Sequence, residues 1–84
     1  MSVNNKWADY DVAKNRLRIM IGHYSELIRD EELTPSPDMD KIEQWEDIQH
    51  ELSEKETLLS VDDTDAISQI NETYGPLTQA IMKG

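Results

Sequence analysis

The chain is predicted to be all-α, a small up-down-up three-helix bundle, on three observations. Tyr10, Ala13, Leu17, Met20, Tyr24 and Leu27 recur at alternating spacings of three and four residues, the period of one face of an amphipathic helix. Ile42, Trp45, Ile48, Leu52 and Leu59 form a second apolar face downstream, opposite a row of acids. The connectors between these stretches are short, which favours antiparallel neighbours. The alternative architecture is a long hairpin of the first two helices whose third segment packs only in an oligomer.

The first helix is expected over residues 6–30. A polar lead precedes it, where Asn4 or Asn5 can cap the start. Asp9 and Asp11 suit the positive end of its dipole. Residues 30–36 (DEELTPS) read as a connector, because Thr34-Pro35 and Ser36-Pro37 push the residue before each proline out of helical geometry. Ser36 then reads as the N-cap, and Pro37 as the first position, of a second helix over 37–59. Lys55 follows Glu51 by four residues and precedes Leu59 by four. It is expected to pair with the acid while its stem covers apolar surface.

Residues 60–63 read as a tight turn. Val61 before a cap at Asp62, with Ala66 four residues on, has the spacing of a hydrophobic staple. The third helix is expected over 62–74, carrying Ala66, Ile67, Ile70 and Tyr74. An interior proline costs about 3 kcal/mol and removes a backbone hydrogen bond, so Gly75-Pro76 predicts a kink or break. A short tail helix over 76–83 follows. Counted with that tail, the three elements are each about 22 residues, or about 33 Å, long.

The totals bound the function. Residues 1–84 make one domain with a thin core. The absence of cysteine removes disulfides and thiolate metal sites. No apolar run approaches the ~20 residues of a membrane span, and the start MSVNNKWADYD has no apolar signal-type stretch. A soluble, cytoplasmic protein is expected. The net charge of −10 is unevenly placed. Lys6, Lys14, Arg16, Arg18 and Arg29 outnumber Asp9, Asp11 and Glu26 in residues 1–29, whereas only Lys41, Lys55 and Lys83 offset the acids beyond. That field opposes direct nucleic-acid binding and favours a basic protein partner.

Four groups of residues are candidate sites. Asp40, Glu43, Asp47, Glu51 and Glu54 share one face of the second helix. They read as a partner-binding acidic ridge, beside the plainer reading of a solvated face. Val12, Arg16, Ile19 and His23 lie away from the main apolar stripe. They read as a partner or self-association surface, unless the first helix is central and packs a helix on each flank. Lys14 and Arg18, one turn apart and near Arg16, form a weaker anion candidate. Their plainer role is to meet acids of the second helix or of a second subunit, or to remain solvated. For metals, Asp62-Asp63-Thr64-Asp65 lacks the glycine and terminal glutamate of a calcium loop. Asp47 and His50 are only half of a helical carboxylate–histidine motif, and no metal site is expected.

Enzymatic constellations are missing: there is no cysteine nucleophile and no glycine-rich phosphate loop. No enzyme activity and no cofactor are expected. Trp7 and Trp45 are read as completing the core. The first function the residues point to is an inhibitor-, immunity- or antitoxin-like factor that blocks a basic surface of another protein, in its sharpest form by nucleic-acid mimicry. The second is a self-associating structural or assembly-chaperone module, a homo-oligomer. The third is an oligomer sequestering a nucleotide-like anion through Lys14, Arg16 and Arg18. No direct contact with nucleic acid or membrane is expected.

Overall fold

The computed structural model describes residues 5–83, with side chains from Trp7 onward. It contains three helices, α1 (Asn5–Glu32), α2 (Met39–Leu58) and α3 (Thr64–Lys83), and no strand among the described residues. Antiparallel packing of α2 is fixed by cross-links that run in opposite senses. The Gln49 side-chain amide donates to the Ile21 carbonyl at 3.0 Å and the Ser25 hydroxyl at 2.7 Å, while Arg18 meets Glu56. The third helix runs parallel to α1. Asn71 lies beside Asp9 and Arg16, and Ala80 and Ile81 lie beside His23 and Glu26. The up-down-up order of the three-helix bundle is as the sequence predicts.

The core is the apolar seam of α1 with one face of each neighbour. Ala13 and Leu17 are fully buried, and Met20, Ile42, Leu52, Leu59, Ile67 and Ile70 nearly so. Tyr10, Tyr24, Ile48 and Tyr74 pack around them half-buried. Each buried aliphatic side chain contributes roughly 1.5–3 kcal/mol of transfer free energy, so the periodic stripe carries the fold. Trp7 departs from expectation. It is 51 % exposed and stands edge-on to Tyr10, with ring centroids 6.1 Å apart, outside the core.

The helices are not equal in length. The first has 28 residues and the others 20 each. Helix α1 continues through Glu31 and Glu32, past the expected end at residue 30, because nothing before Thr34-Pro35 forbids helical backbone. The chain then turns, with the Thr34 amide donating to the Glu31 carbonyl at 3.1 Å. Since α1 begins at Asn5, its first turn holds no acid, and Asp9 and Asp11 fall beyond it. The Asn4 alternative for the cap lies outside the described residues.

The other boundaries also shift by one or two residues. Asp38, not Ser36, caps α2, its carboxylate accepting from the amides of Asp40 and Lys41. The Asp38 amide in turn donates to Glu31 at 2.9 Å. Asp38 and Ser36 are comparable as caps, and the contact with Glu31 of α1 sets the start at Asp38, with Pro37 before the helix. Asp63, not Asp62, caps α3, accepting from the Ala66 amide at 3.2 Å. The 60–63 turn forms as expected, closed by the Asp63 amide on the Ser60 carbonyl at 3.0 Å. Leu59 is buried, yet it is the extended C-cap of α2 rather than a helical residue.

No break occurs at Gly75-Pro76. Helix α3 is continuous from Thr64 to Lys83 with Pro76 inside it. Packing explains why. Ile70, Gly75 and Thr78, on both sides of the proline, are buried, so separating the two halves would expose part of the core. Thr78, 3 % exposed, satisfies its hydroxyl on the Gly75 carbonyl at 3.0 Å.

Gly22 offers a contrast, with nothing within 4 Å of the position a Cβ would take. Gly22→Ala is expected to raise stability by about 0.5–1 kcal/mol, the ordinary helix-interior difference. A urea midpoint at or below that of the parent chain would contradict this.

Candidate interaction surface

Helix α1 is the middle member of the bundle. Its Cα atoms approach those of both neighbours, whereas no Cα of α2 comes within 8 Å of a Cα of α3. The Cα trace measures 56 × 26 × 14 Å, flatter than three mutually touching rods would be. Between α2 and α3 an open groove remains. Its wider part, about 420 Å³, is lined on the α2 side by Glu51, Glu54, Lys55 and Leu58. Ala66, Gln69 and Ile70 line it from α3. It continues past Lys55 towards Thr73 and Tyr74 as a smaller hollow of about 240 Å³.

All five ridge acids, Asp40, Glu43, Asp47, Glu51 and Glu54, are exposed on α2. The His50 ring lies 3.8 Å from the Glu54 carboxylate and is itself exposed. Lys55 has no carboxylate within 4 Å among the described residues, contrary to the expected pairing with Glu51. The ridge and the groove share Glu51 and Glu54.

The four residues on the back of α1 lie along its seam with α3. Arg16 donates from Nη1 to the Asn71 side-chain oxygen at 3.0 Å and to the Asn71 carbonyl at 3.2 Å. Its guanidinium lies over Gly75, where an added Cβ would come within 3.3 Å. Arg16 is therefore a tie between helices rather than part of an open surface. Val12 and Ile19 border a hollow of about 410 Å³ with Thr78 and Met82 of α3. His23 stacks edge-on to Tyr24 at 5.5 Å and faces Ala80 and Ile81. The arrangement is that of a central helix packed on both flanks.

The three cations proposed to hold an anion do not converge. Arg18 pairs with Glu56, and Lys14 sits 5.3 Å from the centre of the Tyr10 ring. Arg16 points to α3, about 200° around the helix from Lys14 at 100° per residue. Among the described residues no three His, Asp or Glu side chains gather as metal ligands. No described helix is long and apolar enough to cross a membrane.

Tyr74, on the apolar face of α3, has a titration that its spacing in the sequence does not announce. Burial, then the adjacent Tyr24 phenol and Glu51 carboxylate, push its pKa above the ordinary 10.0. The folded state thus holds this proton more tightly than the unfolded chain. The associated stability is fully present below pH 10 and is lost as pH rises through the folded value. Tyr74→Phe is expected to flatten this alkaline limb, read from urea midpoints at about pH 8 and about pH 11. An unchanged alkaline loss in the variant would assign it elsewhere.

Comparison with protein-family models, with curated proteins and with solved structures finds no match to this chain. The functional reading therefore rests on the surfaces themselves. The groove had one trace in the sequence, the adjacent pair Leu58-Leu59. The chain leaves the helix between them, so the two side chains part: Leu59 is buried while Leu58 is 80 % exposed.

Proposed function

We propose that this chain is a non-catalytic interaction factor that covers a basic surface of a partner protein, acting as an inhibitor through the carboxylates of α2. The observation that carries this reading is the exposed row Asp40, Glu43, Asp47, Glu51 and Glu54, without a Lys or Arg ion pair among the described residues while Arg16 and Arg18 engage Asn71 and Glu56. Like charges at helical spacing are mildly unfavourable to the fold, so a partner's cations would relieve that repulsion. The row spans about 21 Å, or about 5 Å per charge, sparser than the about 3.4 Å per phosphate along one strand of a duplex. Nucleic-acid mimicry is the sharpest form of the proposal, and this spacing supports only partial mimicry.

The self-association alternative relied on Val12, Arg16, Ile19 and His23. Their placement along α3 favours the interaction reading over it. The test is to capture the partner from cells, identify it by mass, and measure its affinity for the parent chain and for a variant with Glu43, Asp47 and Glu51 changed to glutamine. Exposed ion pairs contribute about 0.2–1 kcal/mol each, so three lost pairs should weaken binding roughly 3–150-fold. The salt dependence should flatten as well. A partner held equally tightly by both proteins would end the proposal.

A further inference from the structure

We propose that the groove between α2 and α3 receives a basic amphipathic helix of the partner, its aliphatic side chains on Leu58, Leu59, Ala66 and Ile70 and its Lys or Arg side chains on Glu51 and Glu54. This rests on the preceding reading and specifies how the partner is held. The groove and the acidic row meet at Glu51 and Glu54, so one ligand can engage apolar floor and acidic rim together. Among the described residues lining the groove, Lys55 is the only cation, against Glu51, Glu54 and Asp63. The rim therefore selects positive charge.

The walls argue for a helical occupant. Both are helices whose backbone groups are already paired within α2 and α3, so an extended strand would find no edge to hydrogen-bond. A helix satisfies its own backbone and needs only a complementary apolar stripe. From Ala66 to Tyr74 the floor runs about 12 Å, or about two helical turns. A second copy of this chain is disfavoured as occupant by its net charge of −10.

The probe is an amphipathic peptide of about 14 leucines and lysines, compared with the same peptide carrying serine for every leucine. Titration calorimetry and amide chemical shifts of the labelled full chain give the readouts. The leucine peptide is expected to bind and to shift the Leu58, Leu59, Ala66 and Ile70 amides. Leu58→Ser, at an exposed position that the fold does not need, should weaken it about tenfold. Glu51→Gln with Glu54→Gln should do the same, whereas Asp40→Asn with Glu43→Gln, on the ridge outside the groove, should change it less than about threefold.

Equal binding of the serine peptide, with equal weakening by the two double variants, would overturn the groove and leave the acidic surface standing. Binding of neither peptide at low salt would overturn both readings. Shifts of the same amides on concentrating the free protein, abolished by Leu58→Ser, would make the occupant a second copy and also overturn the proposal.

Discussion

Replacing Leu17 by alanine is expected to lower the free energy of unfolding by about 3 kcal/mol. The residue is fully buried at the centre of the stripe on α1 and belongs to the same cluster as Leu52, Leu59, Ile67 and Ile70. It therefore loses both its transfer free energy and its contacts with the helices on either side. A single core in a chain of this size rarely supplies more than about 3–5 kcal/mol, so the variant should be substantially unfolded at 37 °C. Helical circular dichroism followed through a urea titration gives the measurement. Val12→Ala, at a position 43 % exposed on the same helix, should cost about 0.5 kcal/mol or less. Two variants of equal stability would mean that the stripe is not the core.

The second large effect runs the other way. Pro76→Ala is expected to stabilise the chain by about 2 kcal/mol. Pro76 is exposed and lies inside a continuous helix, with no N–H to offer the carbonyl of Glu72 one turn earlier. Alanine restores that bond and removes the ring's clash. The intrinsic difference of about 3 kcal/mol is reduced by the greater freedom alanine gives the unfolded chain. For a domain of this size the thermal midpoint should rise by roughly 8–16 °C. A midpoint that falls would show that the proline sets a bend on which the packing of Ile81 against the core depends.

These two positions also mark where the sequence is legible and where it is not. Spacing alone puts Ala13, Leu17, Met20, Ile42, Leu52, Ile67 and Ile70 on apolar faces, and all are buried. Burial of a helix face follows from its period, which is local information. Pro76 is different. Its local cost predicts a kink or a break, and the buried residues on both sides of it in α3 hold the helix continuous against that cost. Propensity is a weak prior when tertiary packing opposes it.

The caps show the same limit at smaller scale. Ser36 and Asp62 are competent capping residues, yet Asp38 and Asp63 take the role, because where the helix meets its neighbour decides among adjacent candidates. Of the candidate sites, the acidic row was fully legible, since five carboxylates at helical spacing on a face opposite the apolar one have nowhere to go but solvent. Arg16 was legible only as a charge. Its tie to Asn71 links positions 55 residues apart in the chain, and no local pattern announces such a pair. The groove is the least legible feature, because it depends on how far apart two helices lie when both lean on a third.

That separation has a dynamic consequence. With α1 as the only helix whose backbone closely approaches both others, α2 and α3 can each peel away without the other following. Amide deuterium uptake should therefore be graded: slowest in the middle of α1, where exposure requires opening of the whole molecule, and faster along both flanking helices. A binding event that wedges or clamps the flanks would alter their exchange and leave the central rod's rate tied to global unfolding.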